Sequence, residues 1–196
     1  TQPSGMTANI TAATLTITGV TAQNKVYNSN TTATLTGGSF SGIQGSDVVT
    51  LTAGTGAFAD KNIGTGKTVT ATGYSISGTD AANYVLAGQP TGLTANITAA
   101  PLTVTGITAT NRVYNGNTTA TLTGGTLSGV QGSDVLTLVT GTGTFASKTV
   151  GTGKAITATG YSATGSDFAN YTFTQPTGIT ANITAAPLTV TGVTAA

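Results

Sequence analysis

Apolar and polar residues alternate along much of this chain with a period of two. Clear examples are Leu15-Thr16-Ile17-Thr18, Leu102-Thr103-Val104-Thr105 and Ile156-Thr157-Ala158-Thr159. Because successive side chains of an extended strand point to opposite faces, the pattern predicts β-strands with one buried face and one threonine-rich, solvated face. Glycines such as Gly37-Gly38 interrupt the runs and predict strand ends. The 28 glycines also disfavour a long helix.

The chain repeats itself at intervals of 87 and then 86 residues. The phrase Ala-Asn-Ile-Thr-Ala begins at Ala8, Ala95 and Ala181, and a fixed period of this length indicates tandem domains. The sequence therefore predicts two complete units and two partial ones, as if cut from a longer array. Their bounds are 1–13 for the end of a preceding repeat, 14–100 for repeat 1, 101–186 for repeat 2 and 187–196 for the start of a following repeat.

Within each unit, the turn signals separate six to eight short apolar runs. That spacing is typical of an all-β fold, and we expect two small immunoglobulin-like β-sandwiches, with β-grasp-like units as the alternative. Minor helical turns are expected at Ser46–Val48, at Ser133–Val135 and within Phe58–Asn62. Pro101 restricts the backbone of the short junction between units, so we expect the units to lie end to end.

Composition narrows the possible functions. The chain has six Lys and Arg, five acidic residues (all Asp), no His and no Cys, and a net charge of +1. This weak charge gives little attraction for nucleic acid, and no run reaches the length of a membrane span, so we expect neither nucleic-acid binding nor membrane insertion. Without His, Cys or Glu, the usual catalytic triads and transition-metal sites are excluded. We expect no enzyme, cofactor or metal, and a Ser or Thr nucleophile with a lysine base is the enzymatic alternative that remains.

One longer phrase, KVYNSNTTATLTGG from Lys25, returns as RVYNGNTTATLTGG from Arg112. Together with GSDVVTLT, GTGKTVTATGY, SGTDAANY and LTANITAAPLTVTG, it resembles the YDG domain repeats of large secreted bacterial adhesins, the filamentous-haemagglutinin-like exoproteins. The aspartate of the family's Tyr-Asp-Gly triplet is asparagine here. The repeat-defining turn consists of Tyr27 with Asn28, and Tyr114 with Asn115.

The resemblance implies an extracellular protein of the bacterial cell surface. It implies a non-enzymatic stalk or fibre module for cell adhesion or biofilm matrix, whose partners are neighbouring copies of the repeat, other fibres or polysaccharide. The alternative is a carbohydrate-binding module that anchors the protein to matrix polysaccharide, and an exposed aromatic platform would favour it. Arrays such as Thr14, Thr16 and Thr18 are read as the solvated faces of sheets rather than as an ice-binding surface.

Two kinds of modification are compatible with the sequence. The Asn-x-Ser/Thr pattern of glycan attachment occurs at Asn9, Asn30, Asn96, Asn117, Asn170 and Asn182, although a threonine-rich chain also produces it by chance. An intramolecular isopeptide bond is a second candidate, for which the lysines are Lys61, Lys148, Lys67 and Lys154, and the asparagines Asn83 and Asn170. Lysines are usually solvated, and a solvated lysine would not form such a bond.

Overall fold

The structure is a computed structural model, and it describes residues 2 and 4–192. The chain divides into two units, Thr1–Thr98 and Ala99–Ala196. Strands make up 52% of it, in sheets that curl towards closure, which confirms the all-β prediction. Thr1, Pro3 and residues 193–196, which belong to the expected partial repeats, lie outside the described residues.

Each unit contains ten strands within the described residues, more than the six to eight expected. Those of unit 1 are β1 (Ala13–Ala22), β2 (Lys25–Val26), β3 (Thr32–Ala33), β4 (Leu35–Ser41), β5 (Thr50–Thr52), β6 (Thr55–Phe58), β7 (Gly64–Thr72), β8 (Ser75–Ser77), β9 (Tyr84–Leu86) and β10 (Leu93–Thr98). Those of unit 2 are β11 (Ala100–Ala109), β12 (Arg112–Val113), β13 (Thr119–Ala120), β14 (Leu122–Ser128), β15 (Thr137–Val139), β16 (Thr142–Phe145), β17 (Gly151–Thr159), β18 (Ser162–Thr164), β19 (Tyr171–Thr174) and β20 (Ile179–Thr184). Two-residue strands such as β2 and β3 are too short to produce a period in the sequence.

Both units have the same sheet topology. In unit 1 the sheets are β4-β1-β9, β2-β10-β7-β6-β3 and β5-β8, and in unit 2 they are β14-β11-β19, β12-β20-β17-β16-β13 and β15-β18. Most pairs are antiparallel, but β1 pairs parallel with β9 (Ala13 opposite Tyr84) and β10 parallel with β2 (Ile97 opposite Lys25). Constant-type immunoglobulin sheets are wholly antiparallel. The parallel pairs of this structure depart from that pattern. The immunoglobulin-like assignment and its β-grasp alternative both stay predictions.

Strand β1 shows why the alternating sequence forms a sheet. Leu15 is completely buried, whereas Thr14, Thr16 and Thr18 are exposed. A β-branched threonine suits the extended backbone and keeps its hydroxyl in water, while the leucine between two threonines faces the core. The prediction that the threonines lie on solvated faces is confirmed for this strand.

Each unit has its own apolar core of aromatic and branched side chains. Large members in unit 1 are Leu15, Tyr27, Phe58, Tyr74 and Ile97, and in unit 2 Leu102, Phe145, Ile156, Tyr161 and Ile183. Gly54 and its counterpart Gly141 allow a close backbone approach beside these cores, because a Cβ atom at Gly54 would lie 2.1 Å from the carbonyl oxygen of Thr72.

The helical turns occur at other places than the sequence suggested. At Ser46–Val48 the chain forms only a turn, closed by the Asp47 N–H donating to the Gln44 carbonyl at 3.1 Å, and bends occupy 59–62. The helical segments of the described residues are two 3-10 turns, Ala81–Asn83 and Phe168–Asn170. Each directly precedes the strand that pairs parallel with the first strand of its unit.

Candidate functional site

The sequence motif Tyr-Asn-x-Asn forms a turn around a basic side chain in each unit, and we call residues 25–32 and 112–119 the Tyr-Asn turns. In unit 1, Tyr27 is 1% exposed, and its N–H donates to the Thr98 carbonyl at 2.8 Å. This bond continues the parallel pairing of β2 with β10. The chain then reverses through Ser29, whose φ of 66° lies in the left-handed region.

The ammonium group of Lys25 lies at the centre of the first Tyr-Asn turn. Lys25 Nζ contacts Asn28 Oδ1 at 2.8 Å, the Asn30 carbonyl at 2.7 Å and Asn30 Oδ1 at 3.1 Å, and the Thr32 carbonyl at 3.0 Å. It also lies 5.3 Å from the centroid of the Phe58 ring. Burial lowers the pKa of Lys25 from its usual value, because leaving water disfavours the charged form. The oxygen atoms on this cation are all formally neutral.

Arg112 takes the place of Lys25 in unit 2. Its guanidinium donates from Nη1 to Asn117 Oδ1 and, at 2.8 Å, to the Thr119 carbonyl, and from Nη2 to the Asn117 carbonyl. The guanidinium carbon lies 4.9 Å from the centroid of the Phe145 ring. Among the described residues, Arg112 Nε is the one buried side-chain nitrogen or oxygen without a hydrogen-bond partner. Asn115 Oδ1 instead accepts from the Asn117 N–H at a long 3.4 Å.

The two tyrosines of the turns differ in exposure. Tyr114 donates its N–H to the Thr184 carbonyl at 2.8 Å, as Tyr27 does to Thr98, but it is 38% exposed. Its ring borders an apolar hollow that Val150, Ala185 and Leu188 also line. The backbone role of the tyrosine is thus the same in both units, while its side chain is not equally covered.

Chemically, each Tyr-Asn turn fixes a loop to a strand. A cation with several oxygen partners and an aromatic ring below it holds the turn closed, since hydrogen bonds from a charged donor are stronger than neutral ones. The arrangement offers neither a nucleophile beside a base nor converging carboxylates. We therefore read residues 25–32 and 112–119 as structural.

The six predicted glycan-attachment asparagines lie in different environments. Asn9, Asn30 and Asn117 are exposed, Asn96 and Asn182 are half-buried, and Asn170 is 3% exposed. Asn96 Oδ1 accepts from the Gly66 N–H and Asn182 Oδ1 from the Gly153 N–H, both at 2.7 Å, where the strand register shifts. These two amides are part of the sheet, and a glycan on Asn170 would have no room in the folded unit. The exposed sequons thus remain the candidates.

Three of the four lysines considered for an isopeptide bond, Lys61, Lys67 and Lys154, have other partners. Lys67 Nζ forms an ion pair with Asp60 Oδ1 at 2.8 Å, and Lys61 Nζ lies 5.9 Å from the centroid of the Tyr27 ring. The hydrogen bond from Lys67, reinforced by the Asn62 N–H, lowers the pKa of Asp60.

Lys154 is hydrogen-bonded to a serine, the arrangement that a Ser-Lys catalyst would need. Its Nζ lies 2.6 Å from Ser147 Oγ and 3.1 Å from Thr149 Oγ1. Ser147 occupies the position that Asp60 has in unit 1, so the contact closes the same turn with a neutral partner. We therefore interpret this contact as structural.

Two hydrogen-bonding groups were not recognised in the sequence. The side-chain amide of Gln89 accepts from the Tyr74 N–H at 2.8 Å and donates to the Tyr74 carbonyl at 3.0 Å, and Gln175 holds Tyr161 in the same way at 3.0 and 2.7 Å. We call each pair a glutamine clamp. Its only signal in the sequence is the recurrence of Gln-Pro-Thr-Gly in both units.

The second group joins a tyrosine hydroxyl to an aspartate. Tyr84 donates to Asp47 Oδ2 at 2.7 Å and accepts from the Gln44 N–H at 2.9 Å, and Tyr171 does the same with Asp134 and Gln131, both at 2.8 Å. The hydrogen bond to Asp47 raises the pKa of Tyr84, because an anionic phenolate would lose that bond and face the carboxylate. The group fixes the loop after β4 to β9.

In a chain without His, Cys or Glu, the Asp side chains are the potential metal ligands. Residues 2 and 4–192 contain no group of three or more Asp side chains that is placed to bind a metal ion. The helical segments in this part of the chain are too short to cross a membrane.

Comparison with known proteins agrees with the repeat structure. No curated protein and no solved structure matches the chain. The family model described as "YDG domain" matches twice, at residues 11–92 and 98–181, so that one match covers most of each unit. The chain therefore belongs to the YDG domain family and carries two copies of the domain.

Proposed function

We propose that this chain is a non-enzymatic structural repeat module, part of the stalk or fibre of a secreted bacterial adhesin that serves cell adhesion or biofilm matrix. The observation that carries the proposal is the duplication itself. The same ten-strand unit, with the same Tyr-Asn turn, glutamine clamp and tyrosine-aspartate pair, is built twice in one chain. Tandem units of this kind add length, with a stability that is roughly the sum of the units and their contacts.

The pairing at the two ends of a unit suits a mechanical role. The chain enters unit 1 at the start of β1, which pairs parallel with β9, and leaves at the end of β10, which pairs parallel with β2. Where a pull runs along these strands, the hydrogen bonds of the parallel pairs, which are evenly spaced along the strands, share the load. Such a unit should resist stretching.

The proposal includes an extracellular location on the bacterial cell surface and neighbouring copies of the repeat as partners, with other fibres or polysaccharide as further ones. With only 6% charged residues, the surface has little like-charge repulsion to keep copies apart. The end-to-end arrangement and the immunoglobulin-like or β-grasp-like fold of each unit also belong to this proposal.

The structure gives less support to the alternative function, a carbohydrate-binding module, than to a structural role. Binding of sugar rings needs exposed aromatic faces, but five of the six tyrosines are buried, namely Tyr27, Tyr74, Tyr84, Tyr161 and Tyr171. Tyr114 alone is substantially exposed, at 38%, and a single partly covered ring does not make a platform.

Single-molecule stretching of the complete chain tests the structural role. We expect two unfolding events of equal length, each releasing roughly 280–310 Å for a unit of about 86 residues at about 3.3–3.6 Å per residue, less the folded span. Extension without a force peak, or one event that covers both units, would contradict the proposal. A glycan array probed with the same chain tests the alternative, for which selective binding that a Tyr114→Ala variant loses would be the supporting result.

A further inference from the structure

The two Tyr-Asn turns differ at one position that controls the chemical stability of the preceding asparagine. Unit 1 has Asn28-Ser29 and unit 2 has Asn115-Gly116. A glycine leaves the backbone nitrogen unhindered and the chain flexible, and this nitrogen is the atom that attacks an asparagine side chain during deamidation. We propose that Asn115 is a site of spontaneous, selective conversion to aspartate or isoaspartate in the folded protein, whereas Asn28 keeps its amide.

The surroundings of Asn115 leave the reaction open. Asn115 and Gly116 are both exposed, and a Cβ atom at Gly116 would meet no described atom within 4 Å, so open space surrounds this position of the turn. Within the described part of the chain, the Asn115 side chain forms one hydrogen bond, from the Asn117 N–H to Oδ1, and it is 3.4 Å long. Hydrogen bonds weaken at such distances, and the side chain can therefore turn towards the Gly116 nitrogen.

Two features protect Asn28, the asparagine at the same position in unit 1, from deamidation. Asn28 Oδ1 accepts from the Lys25 ammonium at 2.8 Å, a charge-assisted bond that fixes the amide. The following residue, Ser29, carries a side chain that hinders attack by its nitrogen. Because the two turns share their position in the fold, unit 1 serves as an internal control for unit 2.

The reaction balances without any co-reactant except water. The Gly116 nitrogen forms a bond to Asn115 Cγ, the Cγ–Nδ2 bond breaks, and Nδ2 leaves as ammonia with the proton from the Gly116 nitrogen. Water then opens the cyclic imide. Opening at Cγ gives aspartate, and opening at the backbone carbonyl carbon gives isoaspartate.

The product has an electrostatic consequence in the turn. In unit 1 the side chain at this position reaches the cation, as the 2.8 Å contact of Asn28 with Lys25 shows. An aspartate at position 115 would thus lie within reach of Arg112, which now has only neutral oxygen partners and an unpartnered Nε. Conversion would replace a neutral contact by an ion pair.

Trypsin separates the two sites, since it cleaves after Lys25, Lys61, Arg112 and Lys148 and leaves residues 26–61 and 113–148 as different peptides. The purified complete chain is incubated at mildly alkaline pH, and tandem mass spectrometry of these peptides follows the replacement of NH₂ by OH. We expect peptide 113–148 to convert at Asn115 while peptide 26–61 stays unchanged. Equal rates at both sites, or an Asn115 that keeps its amide while a free peptide of the same sequence converts, would overturn the proposal.

Reciprocal variants supply matched controls. Gly116→Ser gives unit 2 the residue that unit 1 accommodates at φ 66°, and we expect it to abolish conversion at Asn115. Undiminished conversion in this variant would count against the proposal.

The electrostatic consequence is tested separately with Asn115→Asp, for which the melting temperature of unit 2 should rise at low salt and the gain should shrink at high salt. An unchanged or lower melting temperature at low salt would refute the ion pair.

Discussion

Replacing Gln89 with alanine removes a glutamine clamp while leaving the apolar core intact. The side-chain amide of Gln89 joins the turn between β7 and β8 to the segment between β9 and β10, through bonds of 2.8 and 3.0 Å to the backbone of Tyr74. Each bond contributes about 0.5–1.5 kcal/mol net, so Q89A should lower the free energy of unfolding of unit 1 by about 1–3 kcal/mol. Because Gln89 is exposed, water can replace part of the loss, and we expect the lower half of that range.

Urea unfolding followed by far-ultraviolet circular dichroism measures this effect, since the chain lacks tryptophan. Q175A should produce an equal loss in unit 2, because Gln175 makes the same two bonds to Tyr161. Gln44→Ala is the control: among the described residues, the side chain of Gln44 donates to the nearby Gly42 carbonyl alone, so its removal should cost less than about 0.5 kcal/mol, as at other surface positions. If Q89A were as stable as the control variant, the clamp would be a consequence of the fold and not a cause of its stability.

Three further substitutions test other contacts. Gly54→Ala should destabilise unit 1 by about 1–3 kcal/mol or more in urea unfolding, because its Cβ would lie 2.1 Å from the Thr72 carbonyl oxygen; full stability would contradict the close approach. Tyr84→Phe removes two hydrogen bonds of the hydroxyl and should cost about 1–3 kcal/mol, with a native-like circular dichroism spectrum as the control. The pKa of Asp60 is lowered in the folded state by Lys67, so its stabilising contribution is present above the ordinary carboxyl pKa and is lost as the pH falls through the lowered one. Asp60→Asn should flatten this acid dependence of unit 1, and an unchanged pH profile would argue against the ion pair.

The sequence allowed the all-β class and the tandem repetition to be predicted, because both leave a period: two residues for Leu15 between its threonines, and 86 or 87 for the repeated phrase. The sheet order left no such signal. The parallel pairing of β1 with β9 joins residues about seventy positions apart, and nothing local in either segment encodes the partner. Gln89 likewise has no local sequence signal that distinguishes it from an ordinary loop residue, although its amide binds the backbone of Tyr74.

Comparison of the two units shows which interactions the fold requires. Two charged positions differ between them: Lys25 is replaced by Arg112, and the Asp60 carboxylate by the Ser147 hydroxyl. The glutamine clamps, by contrast, recur with nearly the same distances, as do the asparagine contacts that hold the strand register. Since ion pairs at the surface contribute little and neutral hydrogen bonds that replace lost water contribute more reliably, the topology survives the exchange of charges. A repeat unit that neutral hydrogen bonds hold together can stay folded although the chain has few charged residues.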